Sequence, residues 1–186
     1  MLRVLFVLLC LPACAMVSPG ASALFQGFDP RTADPTGYEV ALHVPEGVRV
    51  TETVLSLSAT RAVTDDDITQ AVVLVKSDAP SGSPDAPLPG VGQSAVYFRV
   101  GAEDASRIQA MQAQIQAWEA ADGVAPKGSL SVTTTACLDG KGPAQDATAS
   151  VFLRASTGMS FAPVIRNAAL RDVFEAIAPL ATCVSQ

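Results

Sequence analysis

LSVTTTACL, residues 130–138, is the most regular pattern in this sequence and determines the kind of fold that we expect. Apolar side chains, with one threonine among them, occupy every second position from Leu130 to Leu138, and serine, threonine or Cys137 occupies the positions between. A period of two residues is typical of a β-strand with one buried face, because successive side chains of a strand point to opposite sides. We therefore predict a strand, with Cys137 on the face opposite the apolar row.

Strand patterns recur on both sides of this stretch. Val72–Val75 is a continuous apolar run, which predicts a central strand that is buried on both faces. The other predicted strands are residues 38–44, 55–60, 96–100, 148–155 and 160–165, of which the last two form a hairpin. A strand-rich domain is therefore expected.

One long helix is predicted between these strands. It begins near Asp104 and stops at Asp122, where Gly123 follows as a typical C-terminal residue. Its apolar face has spacings of three and four residues and consists of Ile108, Met111, Ile115 and Trp118. Met111 and Trp118 are expected to pack in the core, although a ligand groove is the alternative interpretation.

Two shorter helices are predicted from capping residues. Thr64, with Asp67 three positions later, has the spacing of a capping box and predicts a helix of one or two turns. Asn167 is expected to cap a C-terminal helix that Pro179 ends. The apolar stripe of that helix is Leu170, Val173, Phe174 and Ile177.

These elements predict an α+β fold, with an antiparallel or mixed β-sheet, one long amphipathic helix and a C-terminal helix. Residues 37–186 are long enough for a single domain with its own core. Residues 77–94 are rich in proline and glycine, and we interpret them as a surface loop rather than a boundary between two domains.

The net charge argues against nucleic acid as a partner. The whole chain carries 12 basic and 18 acidic residues, which gives −6. Removal of the leader would take Arg3 with it and leave 11 basic residues against 18, or −7. A surface of this sign repels phosphate, so we expect neither nucleic acid nor direct binding to anionic headgroups.

The N-terminus has the features of a bacterial secretory signal peptide. Arg3 supplies the positive charge, residues 4–11 are apolar, and Pro12 interrupts the run. The apolar segment is much shorter than the roughly 20 residues of a membrane-spanning helix. We assign residues 1–13 to the signal peptide.

Leu11-Pro12-Ala13-Cys14 resembles the lipobox of bacterial lipoprotein precursors. The resemblance implies cleavage before Cys14 and attachment of acyl chains to its sulfur. Ala15, rather than aspartate, follows the cysteine, which in such lipoproteins favours the outer membrane over the inner. Residues 14–36 would then be a lipidated flexible tether, because they are rich in proline, glycine, serine and alanine. Cys10 is the poorer candidate, because Leu9 before it is large.

Two other outcomes of processing remain open. Ordinary signal peptidase would read Ala13-Cys14-Ala15 as a small-x-small site and release a soluble periplasmic or secreted protein after Ala15. Ala21-Ser22-Ala23 is a less suitable site, because it lies far from the apolar segment. A retained N-terminal anchor is the third outcome.

Cys137 and Cys183 are the two cysteines outside the leader, and we predict a disulfide between them. The bond would close a loop of 46 residues, for which the chain-entropy model gives about 4 kcal/mol. Two buried free thiols are the alternative. No histidine lies near either cysteine in the sequence, so a metal site is not expected there.

No motif in the sequence predicts catalysis. His43, the single histidine, falls on the polar face of a predicted strand and is expected to be a solvated surface residue. Asp65–Asp67 lack the alternation and glycine of a calcium loop. Asp139–Gly142 lack the serine or threonine of a phosphate loop and are predicted to be a turn. No cofactor is expected.

Taken with the leader, these patterns predict a lipid-anchored protein of the cell envelope, at the outer membrane and facing the periplasm. We expect it to act by binding or scaffolding, with the membrane and an envelope protein as partners. The alternatives are the soluble exported binding protein and an envelope hydrolase that uses His43 as its base.

Overall fold

The computed structural model describes residues 29, 31–77, 86–144, 146–170, 173 and 180–183. Its long helix, α1, is Ala102–Asp122, and a short 3₁₀ helix is formed by Pro35–Gly37. The strands are β1 (Glu39–Pro45), β2 (Val48–Thr60), β3 (Asp67–Val73), β4 (Val75–Ser77), β5 (Gln93–Arg99), β6 (Lys127–Leu138), β7 (Thr148–Arg154) and β8 (Ala162–Ala169).

The strands form two antiparallel sheets. The five-stranded sheet has the order β4-β5-β1-β7-β8, and the three-stranded sheet has the order β3-β2-β6. Every pair of neighbouring strands in these sheets is antiparallel. The structure thus confirms a mostly antiparallel β fold with one long helix.

Residues 130–138 form the last nine of the twelve residues of β6, as their alternation predicts. Leu130 and Val132 lie opposite Leu57 and Leu55 of β2 and pack against the hydrophobic core. Serine and threonine side chains between them are exposed. The apolar row therefore faces the core because β2 offers an apolar row in the same register.

A bulge in β2 lets one strand of 13 residues keep a single buried face. Val48 and Val50 are buried, and so are Thr53, Leu55 and Leu57, although the first pair has even numbers and the second group odd numbers. The pairing with β6 shifts register between Val50 and Glu52, which inserts the extra residue.

Helix α1 follows the sequence prediction closely. Ile108, Met111 and Ile115 are buried, and Trp118 is half-buried against the same core. Gly123 ends the helix in the left-handed conformation, at φ 67°, which glycine adopts without a steric penalty. The helix starts at Ala102, two residues earlier than predicted, with Gly101 at its N-cap.

The predicted helix at Thr64 is wrong. Residues 61–66 form the loop of the β2–β3 hairpin, in which Thr60 pairs with Asp67. Asp65 has a φ of 57°, and the Thr64 hydroxyl donates to the carboxylate of Asp66 at 2.6 Å. Threonine and aspartate favour tight turns as well as helix starts, so the capping pattern did not distinguish the two.

Val72–Val75 is not a strand buried on both faces. Val72 and Leu74 are buried, but Val73 and Val75 are 53% and 49% exposed. The strand pattern is interrupted at Leu74. Strand β3, in the three-stranded sheet, ends at Val73, and β4, in the five-stranded sheet, begins at Val75. Both strands are at sheet edges, and an edge strand keeps one open side that a central strand lacks.

Asn167 does not cap a helix, because β8 continues through it to Ala169. Its φ of 46° is left-handed, and its backbone N–H donates to the Ser150 hydroxyl at 2.9 Å, beside an irregular pairing of β7 with β8. Most of the predicted C-terminal helix, residues 171–172 and 174–179, lies outside the described residues.

The predicted disulfide is present between Cys137 and Cys183, with Cα atoms 5.0 Å apart. Leu138 donates its N–H to Ala181 and accepts from the N–H of Cys183, each at 2.8 Å. The disulfide therefore fixes residues 181–183 beside the end of β6. Cys137 lies on the face opposite the apolar row, as predicted.

Candidate functional site

Residues 1–14, which the sequence predicts to contain a leader and the lipobox-like Leu11–Cys14, lie outside the described residues. Within the described part of the chain, two groups of residues differ from an ordinary close-packed apolar core. One is a cluster of buried polar side chains on the five-stranded sheet. The other is a cleft between α1 and the three-stranded sheet.

His43 belongs to the buried polar cluster, and its predicted exposure is wrong. The residue is only 4% exposed. Its Nε2 lies 3.0 Å from the carbonyl oxygen of Pro87, and its ring lies 4.7 Å from the ring of Phe152. Strand β1 is the middle strand of five, and Pro87 contacts it on the face that His43 occupies. Burial lowers the pKa of His43, so its neutral form is favoured.

Glu39 and Arg154 form a buried ion pair on the same face of β1 and β7. Arg154 Nη2 lies 2.7 Å from Glu39 Oε2, and the two side chains are 3% and 5% exposed. The Arg154 guanidinium also lies 5.3 Å from the ring centre of Phe161. Sequence reasoning missed this pair. The available signal was one acidic residue, Glu39, and one basic residue, Arg154, each in a strand that is otherwise mostly apolar.

The cluster also contains Ser150, which lies directly opposite His43 in the pairing of β1 with β7. Its hydroxyl accepts a hydrogen bond from the backbone of Asn167. His43 is in turn bonded to Pro87 and packed on Phe152. These contacts fix the side chains in a covered layer, so we assign the cluster a structural role. Among the described residues, no group of three histidine, cysteine, aspartate or glutamate side chains is close enough together to bind a metal ion.

Two other predicted features are turns. Asp65–Asp67 belong to the β2–β3 hairpin described above. Asp139–Gly142 form a turn after β6, as predicted, with Gly140 and Gly142 at φ values of 64° and 71°. Asp139 also forms a surface ion pair with Arg49, in which Arg49 Nη2 lies 2.6 Å from Asp139 Oδ2.

The cleft between α1 and the three-stranded sheet has a volume of about 420 Å³. This volume is within the range of about 300–1,000 Å³ that is common for ligand sites. Its walls are mainly apolar and include Ile108, Met111 and Ile115 of α1, Leu57 and Ala59 of β2, and Pro126. Met111 therefore belongs both to the predicted core and to a groove, which the sequence treats as alternatives.

Asp29 and Arg31 form one rim of the cleft. Arg31 donates to Asp29 through Nε and Nη2, both at 2.8 Å, and to Glu119 of α1 through Nη1 at 2.6 Å. The hydrogen bond from Arg31 lowers the pKa of Asp29, so this carboxylate stays ionised. The guanidinium is thus balanced by two carboxylates.

Two glutamines of α1 hold the chain that follows this rim. Gln112 Nε2 donates to the carbonyl oxygen of Ala33 at 2.9 Å, and Gln116 Nε2 donates to that of Arg31 at 2.7 Å. Gln112 is also close to Tyr38, whose pKa is raised to about 12 by burial. Residues 31–36, which the sequence assigns to the tether, therefore pack against α1. Their composition does not reveal it, because the partners lie about 80 residues further along the chain.

No protein-family model, curated protein or solved structure matches this chain. In the part of the chain that the structure describes, no helix has the length and apolar character needed to cross a bilayer.

Proposed function

We propose that this chain is an exported protein that is anchored to the cell envelope by acyl chains on Cys14 and that acts by binding or scaffolding rather than by catalysis. The observation that carries the proposal is the sequence Leu11-Pro12-Ala13-Cys14 directly after a short apolar segment. We propose the outer membrane as its location, because Ala15 follows the cysteine.

The disulfide supports export. Disulfides persist in oxidising compartments such as the periplasm and are rare in the cytosol. The Cys137–Cys183 bond joins the end of β6 to the last described residues of the chain. A chain that folds after export would form this bond in the oxidising compartment, which supplies the acceptor for the two electrons that the thiols lose.

The contacts of residues 29–33 support a tethered domain. Arg31 and Ala33 are held to α1 by the hydrogen bonds described above. The segment between Cys14 and the first packed residue would therefore consist of residues 15–28. Acyl chains at Cys14 would hold the domain close to the membrane, since each buried methylene contributes about 0.8 kcal/mol.

The test is metabolic labelling with a radioactive fatty acid, followed by fractionation of cells that express the full chain. The unaltered chain is expected to carry the label and to sediment with membranes. Cys14→Ala is expected to lose both. Cys10→Ala is the matched control, because it removes the other leader cysteine and is expected to keep both the label and the membrane association.

An unlabelled chain in the soluble exported fraction, with its N-terminus at Met16, would contradict the proposal and support cleavage after Ala15. A chain retained in the cytosol would contradict export altogether. The intact mass of the purified protein distinguishes these results directly.

A further inference from the structure

Strand β3 (Asp67–Val73) is the last strand of the three-stranded sheet, so one of its sides has no neighbouring strand in the part of the chain that the structure describes. Its pairing with β2 continues through all seven residues without a shift of register. Arg61 N–H donates to the carbonyl oxygen of Asp66, and Leu74 N–H donates to that of Thr53, each at 2.8 Å. Residues 66 and 74 therefore direct their backbone groups towards β2.

The alternation of the strand fixes the direction of the other backbone groups. In an antiparallel pair, every second residue turns both its N–H and its C=O towards the neighbouring strand. Residues 68, 70 and 72 thus face β2, and residues 67, 69, 71 and 73 face the open side, which we call the β3 edge. The Gln70 side chain donates to the outward carbonyl oxygen of Ala71 at 3.1 Å, in agreement with this direction.

The β3 edge lacks the features that keep other edge strands from pairing. Such strands are often very short or irregular, or contain proline or lysine. Edge strand β4 has three residues and includes Lys76, and edge strand β8 contains Pro163 and pairs irregularly with β7. The β3 sequence, DITQAVV, has neither proline nor lysine, and its residues 67, 69, 71 and 73 are exposed. The β3 edge is therefore a regular template for a further strand.

The β3 edge is acidic where the strand begins. Asp65, Asp66 and Asp67 are all exposed there. Arg61 Nη1 lies 3.8 Å from Asp66 Oδ2, but Arg61 Nη2 is closer to Asp122 Oδ1, at 2.7 Å. Four carboxylates and one guanidinium leave an excess of negative charge, which favours a basic side chain of a partner.

The β3 edge is apolar where the strand ends. Val73 is 53% exposed, and Val75, the first residue of β4, is 49% exposed. Apolar side chains directly opposite each other on neighbouring strands stabilise a sheet. An added strand with an apolar side chain beside Val73 would therefore cover a surface that is now open to water.

We propose that the β3 edge binds an extended segment of a partner protein as an additional antiparallel strand, with an apolar side chain beside Val73 and a basic side chain beside Asp67. In this mode of recognition, backbone hydrogen bonds supply affinity and alternate side chains supply specificity. A second copy of this chain fits less well, because its β3 has no basic residue to place beside Asp67 and each chain carries a net charge of −6. The proposal rests on the proposed binding role but not on lipidation of Cys14.

The test is fluorescence anisotropy, with the labelled synthetic peptide Val-Thr-Val-Thr-Val-Thr-Lys-Lys as the probe and the full processed chain as the receptor. In antiparallel pairing, the first valine of the peptide lies opposite Val73 and the first lysine lies opposite Asp67. Saturable binding is expected, and replacement of both lysines by glutamate is expected to weaken it at least tenfold. Absence of binding at millimolar protein would overturn the proposal.

Methylation of peptide nitrogens tests the backbone pairing directly. The N–H groups of the second and third valines would point to β3, opposite Ala71 and Thr69, whereas those of the second and third threonines would point away. N-methylation of these two valines is expected to abolish binding. N-methylation of the two threonines is the matched control and is expected to weaken binding less than threefold. Equal effects of the two modifications would overturn the proposal.

A variant of the protein provides a second readout. Thr69→Pro removes an outward N–H and leaves the bonds to β2 in place, because edge strands accept proline where the N–H faces solvent. It is expected to weaken peptide binding at least tenfold, whereas the control Thr69→Val keeps the N–H and the affinity. Unchanged affinity in folded Thr69→Pro would contradict the proposal, and the methylated peptides decide the question should this variant fail to fold.

A dimer of the unaltered chain that Thr69→Pro dissociates would overturn the proposal in favour of a second copy. Peptide binding by a chain that carries no fatty-acid label would uphold strand addition while the proposed anchoring fails. A labelled chain that binds no peptide would give the reverse result, so the two failures are distinguishable.

Discussion

The two sheets carry polar residues on the faces that point away from the hydrophobic core, but those faces have opposite environments. On the five-stranded sheet, Glu39, His43 and Arg154 are 4%, 4% and 2% exposed. On the three-stranded sheet, Ser131 and Thr133 are open to solvent. Alternation in a strand therefore identifies two faces, and segments from elsewhere in the chain determine whether the polar face is covered.

The chemistry of each face agrees with its environment. Buried polar groups need partners, and the covered face contains an ion pair, a histidine bonded to a carbonyl and a bonded serine. The open face carries small hydroxyl side chains, which water satisfies. Ser58 and Ser129 also share a hydrogen bond across β2 and β6, at 2.7 Å.

The largest difference between the faces is expected from Arg154→Met. This change leaves Glu39 buried without its cation and should lower the free energy of unfolding by about 3–5 kcal/mol. Urea unfolding gives the measurement. Ser131→Met on the open face is the matched control and should change stability by less than about 0.5 kcal/mol.

The double variant Glu39→Leu with Arg154→Met should regain most of the loss, because apolar side chains then replace both charges. Equal losses from Arg154→Met and Ser131→Met would show that the pair is not buried in solution.

The disulfide is the covalent tie on the open face of the three-stranded sheet. Cys137→Ser with Cys183→Ser is expected to lower the free energy of unfolding by about 4 kcal/mol, because the unfolded chain regains the freedom of a 46-residue loop. Thermal unfolding of the variant and of the reduced protein should agree. An unchanged melting temperature after complete reduction would contradict this expectation.

A smaller effect, which depends on pH, is expected from His43 on the covered face. Burial lowers its pKa in the folded protein, whereas the unfolded chain takes up a proton near pH 6.5. Below that pH the unfolded state binds more protons, so stability falls with acidification by no more than about 1.4 kcal/mol per pH unit. Above it, His43 contributes no pH dependence.

His43→Gln should remove this component and keep a donor for Pro87. Stability of both chains is compared between about pH 5.5 and 7, where carboxylates such as Asp29 are almost fully ionised in the folded and unfolded states. Because His43 is the only histidine, identical pH dependence in the two chains would contradict the assignment.

Local patterns predicted a large part of the fold. The spacing of Ile108, Met111 and Ile115 identified α1, and the alternation from Leu130 to Leu138 identified β6 and the face that carries Cys137. These predictions succeeded because each depends on one periodicity within one segment. The helix at Thr64 failed because the same residues favour a hairpin turn.

The candidate cleft could be predicted only in part. Met111 and its neighbours were recognised as an apolar face, but the opposite wall comes from β2 and the rim from Asp29 and Arg31. These groups lie far apart in the chain. No local pattern indicates that they meet, because their contact depends on how the two sheets and α1 pack.

The sequence by itself determined the periods of α1 and β6, the acidic charge and the pairing of Cys137 with Cys183, because each follows from residue types and their spacing. Only the tertiary structure decided that His43 is buried, that Glu39 meets Arg154, and that a cleft opens where the N-terminal segment enters the domain. Burial is a property of what covers a residue, and the covering segments come from distant parts of the chain.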